Sequence, residues 1–263
     1  MYLEHFQLKS QPFAEHAAAA ALWADARMNE GLARLEYLVR HGEVGLVTGV
    51  SGVGKSALVK RFLHGLGPQQ CHTVYCHLTQ LPSAGLLKLV ATQLGEAPRR
   101  GKERLFEQIL ERARRAEGAL LLVFDEAHLL SAESLTDLRL LVSSALEIGP
   151  PLKILLAGQE PLRATLKRAV LADLANRVSV RFQLRPLTKE QTLRYIDFQL
   201  TAAGGDAKII DDSVKSLIHD FTGGIPRYVN NVAVACLMQA TAQKLPRVDD
   251  DVFQHAVGEF QLP

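Results

Sequence analysis

Short apolar runs alternate with helix-spaced apolar stripes along the first two thirds of the chain, and stripes alone fill the rest. Residues 44–48, 73–78, 119–124, 153–157 and 179–184 are runs of strand length. Several are apolar at successive positions, as a parallel sheet covered by helices on both faces requires. Between them, Leu58, Phe62 and Leu66, then Leu105, Ile109 and Ala113, then Leu135, Leu138 and Val142 recur at a spacing that puts each set on one face of a helix. Met28, Leu32, Leu35 and Val39 make a similar stripe ahead of the first strand. The pattern predicts an α/β fold with a parallel sheet flanked by helices.

After Arg185, Pro186 and Leu187 the strand-like runs stop. Thr188 and Gln191 have the spacing of a capping box opening a helix that carries Leu193, Ile196 and Leu200. Asp211 is placed to cap a second helix with Val214, Leu217, Ile218 and Phe221, which Gly223 and Gly224 end. Pro226 suits the first turn of a third, bearing Val229, Val232, Ala233, Cys236 and Leu237, and Val252, Ala256 and Phe260 supply a fourth. The expected organisation is an α/β domain over residues 1–185 and a small all-α lid over 186–263.

Composition narrows the class. A chain of 263 residues, 48% of them apolar, can bury a sizeable core. A formal charge of +2 argues against coating nucleic acid through bulk charge, so a DNA contact would need a local basic patch. Cys71, Cys76 and Cys236 have no metal-ligand spacing and read as small apolar residues in a reducing cytoplasm. Glu4, His5 and Lys9 interrupt the amino-terminal apolar residues, so no signal peptide is expected, and no run of about 18 apolar residues predicts a membrane span. The expectation is a cytoplasmic protein without direct membrane insertion.

The chemistry lies at the ends of the predicted strands. Gly49-Val50-Ser51-Gly52-Val53-Gly54-Lys55-Ser56 fits the P-loop pattern directly after one strand and before a helix. Its glycines let backbone amides converge on a β-phosphate, Lys55 neutralises the β- and γ-phosphates, and Ser56 ligates Mg²⁺. The second element is the apolar strand that ends in Asp125 and Glu126. Asp125 would hold the metal's water shell, and Glu126 would orient and deprotonate the attacking water. His128 completes an Asp-Glu-Ala-His string and reads as a neighbour of the next helix. Gln159, after the fourth strand, is a candidate to sit between Glu126 and the γ-phosphate; the alternative is a turn into a helix. Arg177, before the last strand, is a candidate arginine finger acting on a neighbouring subunit, with Arg181 as rival. Arg227 would reach the γ-phosphate of its own subunit, or else be an exposed first-turn arginine. Arg99, Arg100, Lys102 and Arg104 form a basic cluster that would contact nucleic acid, or else a solvated loop. Phe6 and Phe13 are candidates to lie near the base.

This ordered set resembles the AAA+ ATPases over nearly the whole chain. Met1-Tyr2-Leu3-Glu4-His5-Phe6 with Pro12-Phe13, Asp125-Glu126-Ala127-His128, Leu156-Ala157-Gly158-Gln159 and Gly224-Ile225-Pro226-Arg227 resemble the branch that holds ExeA-like secretion ATPases and the ATPase helpers of bacterial transposons. The resemblance implies an ATP- and Mg²⁺-dependent switch that assembles into a homo-oligomeric ring or filament, with Arg177 completing the next subunit's site. In the helpers the assembly binds double-stranded DNA and recruits a transposase. In the secretion branch it assists assembly of a secretion or pilus apparatus, usually with a transmembrane segment and a wall-binding domain. Neither feature is present in these 263 residues, so the helper reading is the expectation.

Overall fold

Five strands pair in parallel in the order β2-β3-β4-β1-β5, with β1 at Val44–Thr48, β2 at Cys71–Cys76, β3 at Ala119–Phe124, β4 at Leu152–Gly158 and β5 at Val178–Gln183. The three inner strands β3, β4 and β1 are buried at every position, whereas β5 alternates buried and exposed residues. Inner strands are covered on both faces, so every side chain must be apolar or satisfied; edge strands keep one face for solvent. Leu120, Leu121, Leu122, Val123 and Phe124 are all 0% exposed, and burial of each contributes about 1.5–3 kcal/mol. Thr48 and Lys153 are the polar exceptions, and Lys153 is the charged one. Its Nζ, buried in β4, donates to Leu38 O at 3.2 Å and Gly42 O at 2.6 Å, and burial lowers its pKa.

This computed structural model describes residues 2–14, 22–67, 70–77, 80–146, 152–258 and 260, so Leu78, the last residue of the second predicted strand, lies outside the described residues. The helices among the described residues are α1 (Tyr2–His5), α2 (Ala26–His41), α3 (Lys55–Gly65), α4 (Ser83–Gln93), α5 (Lys102–Arg114), α6 (Ala132–Leu146), α7 (Pro161–Leu166), α8 (Ala172–Arg177), α9 (Lys189–Ala202), α10 (Asp212–Thr222), α11 (Pro226–Ala242) and α12 (Asp250–Gly258). The pattern placed one helix between β2 and β3; the structure has two, because α4 also buries a face through Leu86, Leu87, Val90 and Ala91.

Contacts group the chain into two compact units. One, Ala26–Ser51 with Lys55–Leu184, holds the sheet and α2–α8; α4, α5 and α6 pack a common core with β2, β3 and β4. The other joins Met1–Asp25 and the loop tip Gly52–Gly54 to Arg185–Pro263. The apolar periodicities divide the chain at 185/186 alone, whereas tertiary contacts carry the amino-terminal segment into the helical unit. Tyr2, Phe6, Leu8 and Phe13 are buried there with Leu187, Ile196, Leu200 and Leu237. Phe6 and Phe13, at 9% and 3% exposed, are therefore core rings of this unit.

The helical unit shows which local signals act as read. Thr188 accepts from Gln191 N through its side chain while the Gln191 side chain accepts from Thr188 N, completing the capping box on α9. Gly223 ends α10 in the left-handed region at φ 60°, and Pro226 opens α11. Asp211 holds the N-cap position of α10 but its side chain makes no cap bond, and Phe260 lies beyond the end of α12, 41% exposed. All three cysteines are buried thiols, and burial pushes Cys71 up to about 11 and Cys76 and Cys236 up to about 12. Among the described residues no helix is long and apolar enough to cross a membrane.

Candidate functional site

Parallel pairing brings the carboxyl ends of strands together, and ligands of open α/β sheets bind there. In register, Thr48 of β1 lies beside Gly158 of β4, and Leu156 of β4 beside Phe124 of β3. Gly49, Gln159 and Asp125 therefore leave the sheet from three adjacent strands. The chain moves from β1 to the far edge strand β2 and later crosses to β5 on the other side, so β1 lies at the reversal of strand order where ligands of such sheets bind.

The loop after β1 needs its glycines. Gly52 and Gly54 adopt φ of 75° and 109°, in the region side chains disfavour. A Cβ on Gly52 would also lie 2.8 Å from Arg227 Cβ, within the unit that contains both. Arg227 N donates to Gly52 O at 3.2 Å, and the Arg227 side chain is exposed. Lys55 begins α3, is 4% exposed, and points its Nζ back along the loop to donate to Gly49 O and Val50 O, each at 3.0 Å.

Asp125 follows β3 and is 0% exposed. Its Oδ2 accepts from Ser56 Oγ at 2.7 Å and from Tyr75 OH at 2.7 Å, and its Oδ1 accepts from Glu126 N at 2.9 Å. His77 Nδ1 stands 3.9 Å from Oδ2. Burial first, then the hydrogen bond to Asp125 and the charges of Asp125 and Glu126, raise the Tyr75 phenol above its ordinary value, so it is a donor. A hydroxyl and a carboxylate 2.7 Å apart beside a lysine make a hard-oxygen set that suits Mg²⁺. Among the described residues no group of three or more His, Cys, Asp or Glu could hold a metal alone. A Mg²⁺ here would thus draw its other ligands from phosphate oxygens and water.

Glu126 sits in the left-handed region at φ 53°, ψ 34°, a conformation that costs a non-glycine residue about 1–2 kcal/mol. Strain of this kind concentrates where a side chain must be aimed. Its Oε2 is 3.6 Å from His128 Nδ1, which also accepts from Gln159 N at 3.4 Å. His128 therefore lies between Glu126 and the end of β4. Gln159 also turns the chain into α7, its carbonyl accepting from Leu162 N at 3.0 Å, so the turn exists alongside the placement near His128.

The remaining candidates lie apart. Arg177 precedes Val178, which pairs with Val44 at the start of β1, so it is about one strand length, roughly 15 Å, from the loop after Thr48. Its Nη1 pairs with Glu43 Oε2 at 2.8 Å, and Arg181 Nη2 donates to Ala175 O at 3.0 Å. In the basic cluster, Arg99 bonds both carboxylate oxygens of Glu111, at 3.2 and 2.7 Å, and Lys102 pairs with Glu133 and Asp137, each at 2.8 Å. Arg100 and Arg104 are exposed. Arg99, Arg100, Lys102 and Lys88 line an open pocket of about 450 Å³ between α4 and α5. The sequence reading missed Tyr75 and His77. No local motif marks them, because only the β2–β3 register, with Tyr75 beside Val123 and Cys76 beside Phe124, brings them to Asp125.

Comparison with known proteins bears on the fold that carries this site. Residues 39–166 match a family model described as an AAA domain. Over 249 residues the chain is 31% identical to the General secretion pathway protein A of Aeromonas hydrophila, covering 92% of this chain and 45% of that protein. The chain thus spans less than half the length of this curated relative. Among solved structures, Cdc6p from Pyrobaculum aerophilum superposes with a TM-score of 0.74 at 15% identity, covering 94% of this chain and 70% of that one. The Aeropyrum pernix ORC1 protein, solved in complex with DNA, superposes with a TM-score of 0.68 at 16% identity, covering 92% and 67%. At such identities the likeness is one of fold. With its nucleotide-loop pattern, its acid-tipped inner strand and its five-stranded parallel sheet followed by helices, the chain has the AAA+ P-loop NTPase fold, and its residues 39–166 are similar to an AAA domain.

Proposed function

We propose that this chain is an ATPase that acts as a nucleotide-dependent switch in the assembly of a secretion or pilus apparatus. The observation that carries the ATPase reading is the bond from Ser56 Oγ to the fully buried Asp125, next to a lysine folded onto the loop that precedes it. A buried carboxylate is costly unless paired, so one held beside a hydroxyl at a glycine-rich loop is arranged for a cation and a polyanion. In this reading the loop amides bind the phosphates and Lys55 exchanges its carbonyl partners for phosphate oxygens. Mg²⁺, held by Ser56 and through water by Asp125, supplies charge neutralisation when bound. Glu126 takes the proton of the attacking water, and Gln159 orients what lies between that water and the phosphate. Arg227, whose amide is bonded to Gly52, reports nucleotide state to the helices.

The apparatus reading draws its support from the 31% identity to a general secretion pathway protein, which favours it over recruitment of a transposase on DNA. The basic cluster lends DNA binding little weight, since Arg99 and Lys102 already neutralise carboxylates. Nor does the chain's end at residue 263 decide between them, as it spans 45% of that relative. In the test, Glu126→Gln should bind ATP as the wild type does and lose turnover on the order of 10²- to 10⁴-fold. Equal turnover in the two proteins would overturn the ATPase site. Duplex DNA should leave wild-type turnover unchanged; strong stimulation would return the reading to the transposon helpers.

A further inference from the structure

We infer that Tyr75 is a positioning residue for the metal-binding carboxylate, an inference that rests on the nucleotide site proposed above. Asp125 receives three donors: Ser56 Oγ and Tyr75 OH at Oδ2, and Glu126 N at Oδ1. Each ionised carboxylate oxygen accepts about two bonds, so Oδ2 is saturated in this arrangement. When Ser56 turns to a metal ion its donor leaves Oδ2 and opens one acceptor position, the one a metal-bound water needs. Tyr75 keeps the other position. The tyrosine bond and the Glu126 amide then fix the rotation of the carboxylate from both sides, so the open lone pair would stay aimed at that water.

Tyr75 is suited to this task by its place in the sheet. It lies one residue before the end of the edge strand β2, beside Val123 in register, and is 36% exposed. The phenol therefore reaches Asp125 from the side opposite the loop after β1, since β4 and β1 flank β3 on its other side. A phenylalanine would keep the ring and remove only the bond.

The experiment titrates Mg²⁺ against binding of a fluorescent, non-hydrolysable ATP analogue to the full chain as wild type, Tyr75→Phe and Asp125→Asn. In EDTA, Tyr75→Phe should bind the analogue with wild-type affinity. Its Mg²⁺ midpoint should rise roughly tenfold, the effect of losing one hydrogen bond to a charged acceptor, and that of Asp125→Asn should rise at least as much. A wild-type midpoint in Tyr75→Phe alongside a raised one in Asp125→Asn overturns the role of Tyr75 and leaves the site reading standing. Unshifted midpoints in both variants remove the metal from Asp125, and both readings fall. Weakened binding of Tyr75→Phe in EDTA would make the residue structural and likewise overturn the proposal.

Discussion

Lys55, 4% exposed, folds its Nζ back onto Gly49 O and Val50 O at 3.0 Å each, which sets the ammonium over the loop proposed to take the phosphates. Glycine at 52 and 54 is legible in the sequence because φ above zero is a local demand, and Lys55 because a cation at a helix start, where the dipole disfavours one, points to an anionic ligand. Lys55→Ala should therefore fold and lose nucleotide binding. A thermal melt checks this: an ATP analogue at about 100 times its Kd stabilises the wild type by about 2.7 kcal/mol, and the same concentration should leave the variant's Tm unmoved. An equal Tm rise in the variant would move the phosphate site elsewhere. Glu126 is different. Its acidity is legible, but its left-handed backbone and its approach to His128 appear only once the turn after β3 is folded.

Among the elements, legibility follows burial. The inner strands announce themselves because both faces are apolar, and α9 because its capping box is local. Thr188→Ala removes a bond that satisfies an otherwise orphaned amide at the start of α9, and should cost about 1 kcal/mol, read as a lower urea midpoint with an unchanged slope. Asp211→Ala should cost less, since its side chain makes no cap bond. A larger loss from Asp211→Ala would reverse that assignment. The helix α4 has weak local signals, with Pro82 at its N-cap making no side-chain cap bond and Gly85 in its first turn, while Leu86, Leu87, Val90 and Ala91 pack on α5, α6 and β2. Propensity yields here to tertiary burial.

For the molecule as a whole, the position of Arg177 bears on assembly. It stands just before β5, while the loop of its own chain leaves the far end of β1, so an arginine finger at this position would act on another subunit's loop and not on its own. Its pair with Glu43 is partly exposed, at 30% and 36%, and such pairs contribute about 0–1 kcal/mol. Arg177→Ala should consequently melt close to the wild type and bind ATP, yet lose on the order of 10³-fold in turnover at protein concentrations that favour assembly. Glu43→Ala, which frees the guanidinium, should keep turnover. Retained turnover in Arg177→Ala would leave Arg181 or no finger at all. The grouping of Met1–Asp25 with the carboxy-terminal helices also belongs to this scale. It depends on bonds such as His5 Nε2 with Leu245 O at 2.7 Å, between residues 240 positions apart, which no local pattern encodes.

The sequence by itself determined the strands and most helices, and it holds the pattern that nominates the glycine-rich loop and the acid pair as a site, because periodicity, caps and glycine requirements act over a few residues. Tertiary structure alone decided the strand order β2-β3-β4-β1-β5, the arrival of Tyr75 and His77 beside Asp125, and the ion pairs that occupy Arg99, Lys102 and Arg177. Those depend on register and packing between distant segments, where the free energy of burial selects one arrangement among many that the same local signals allow.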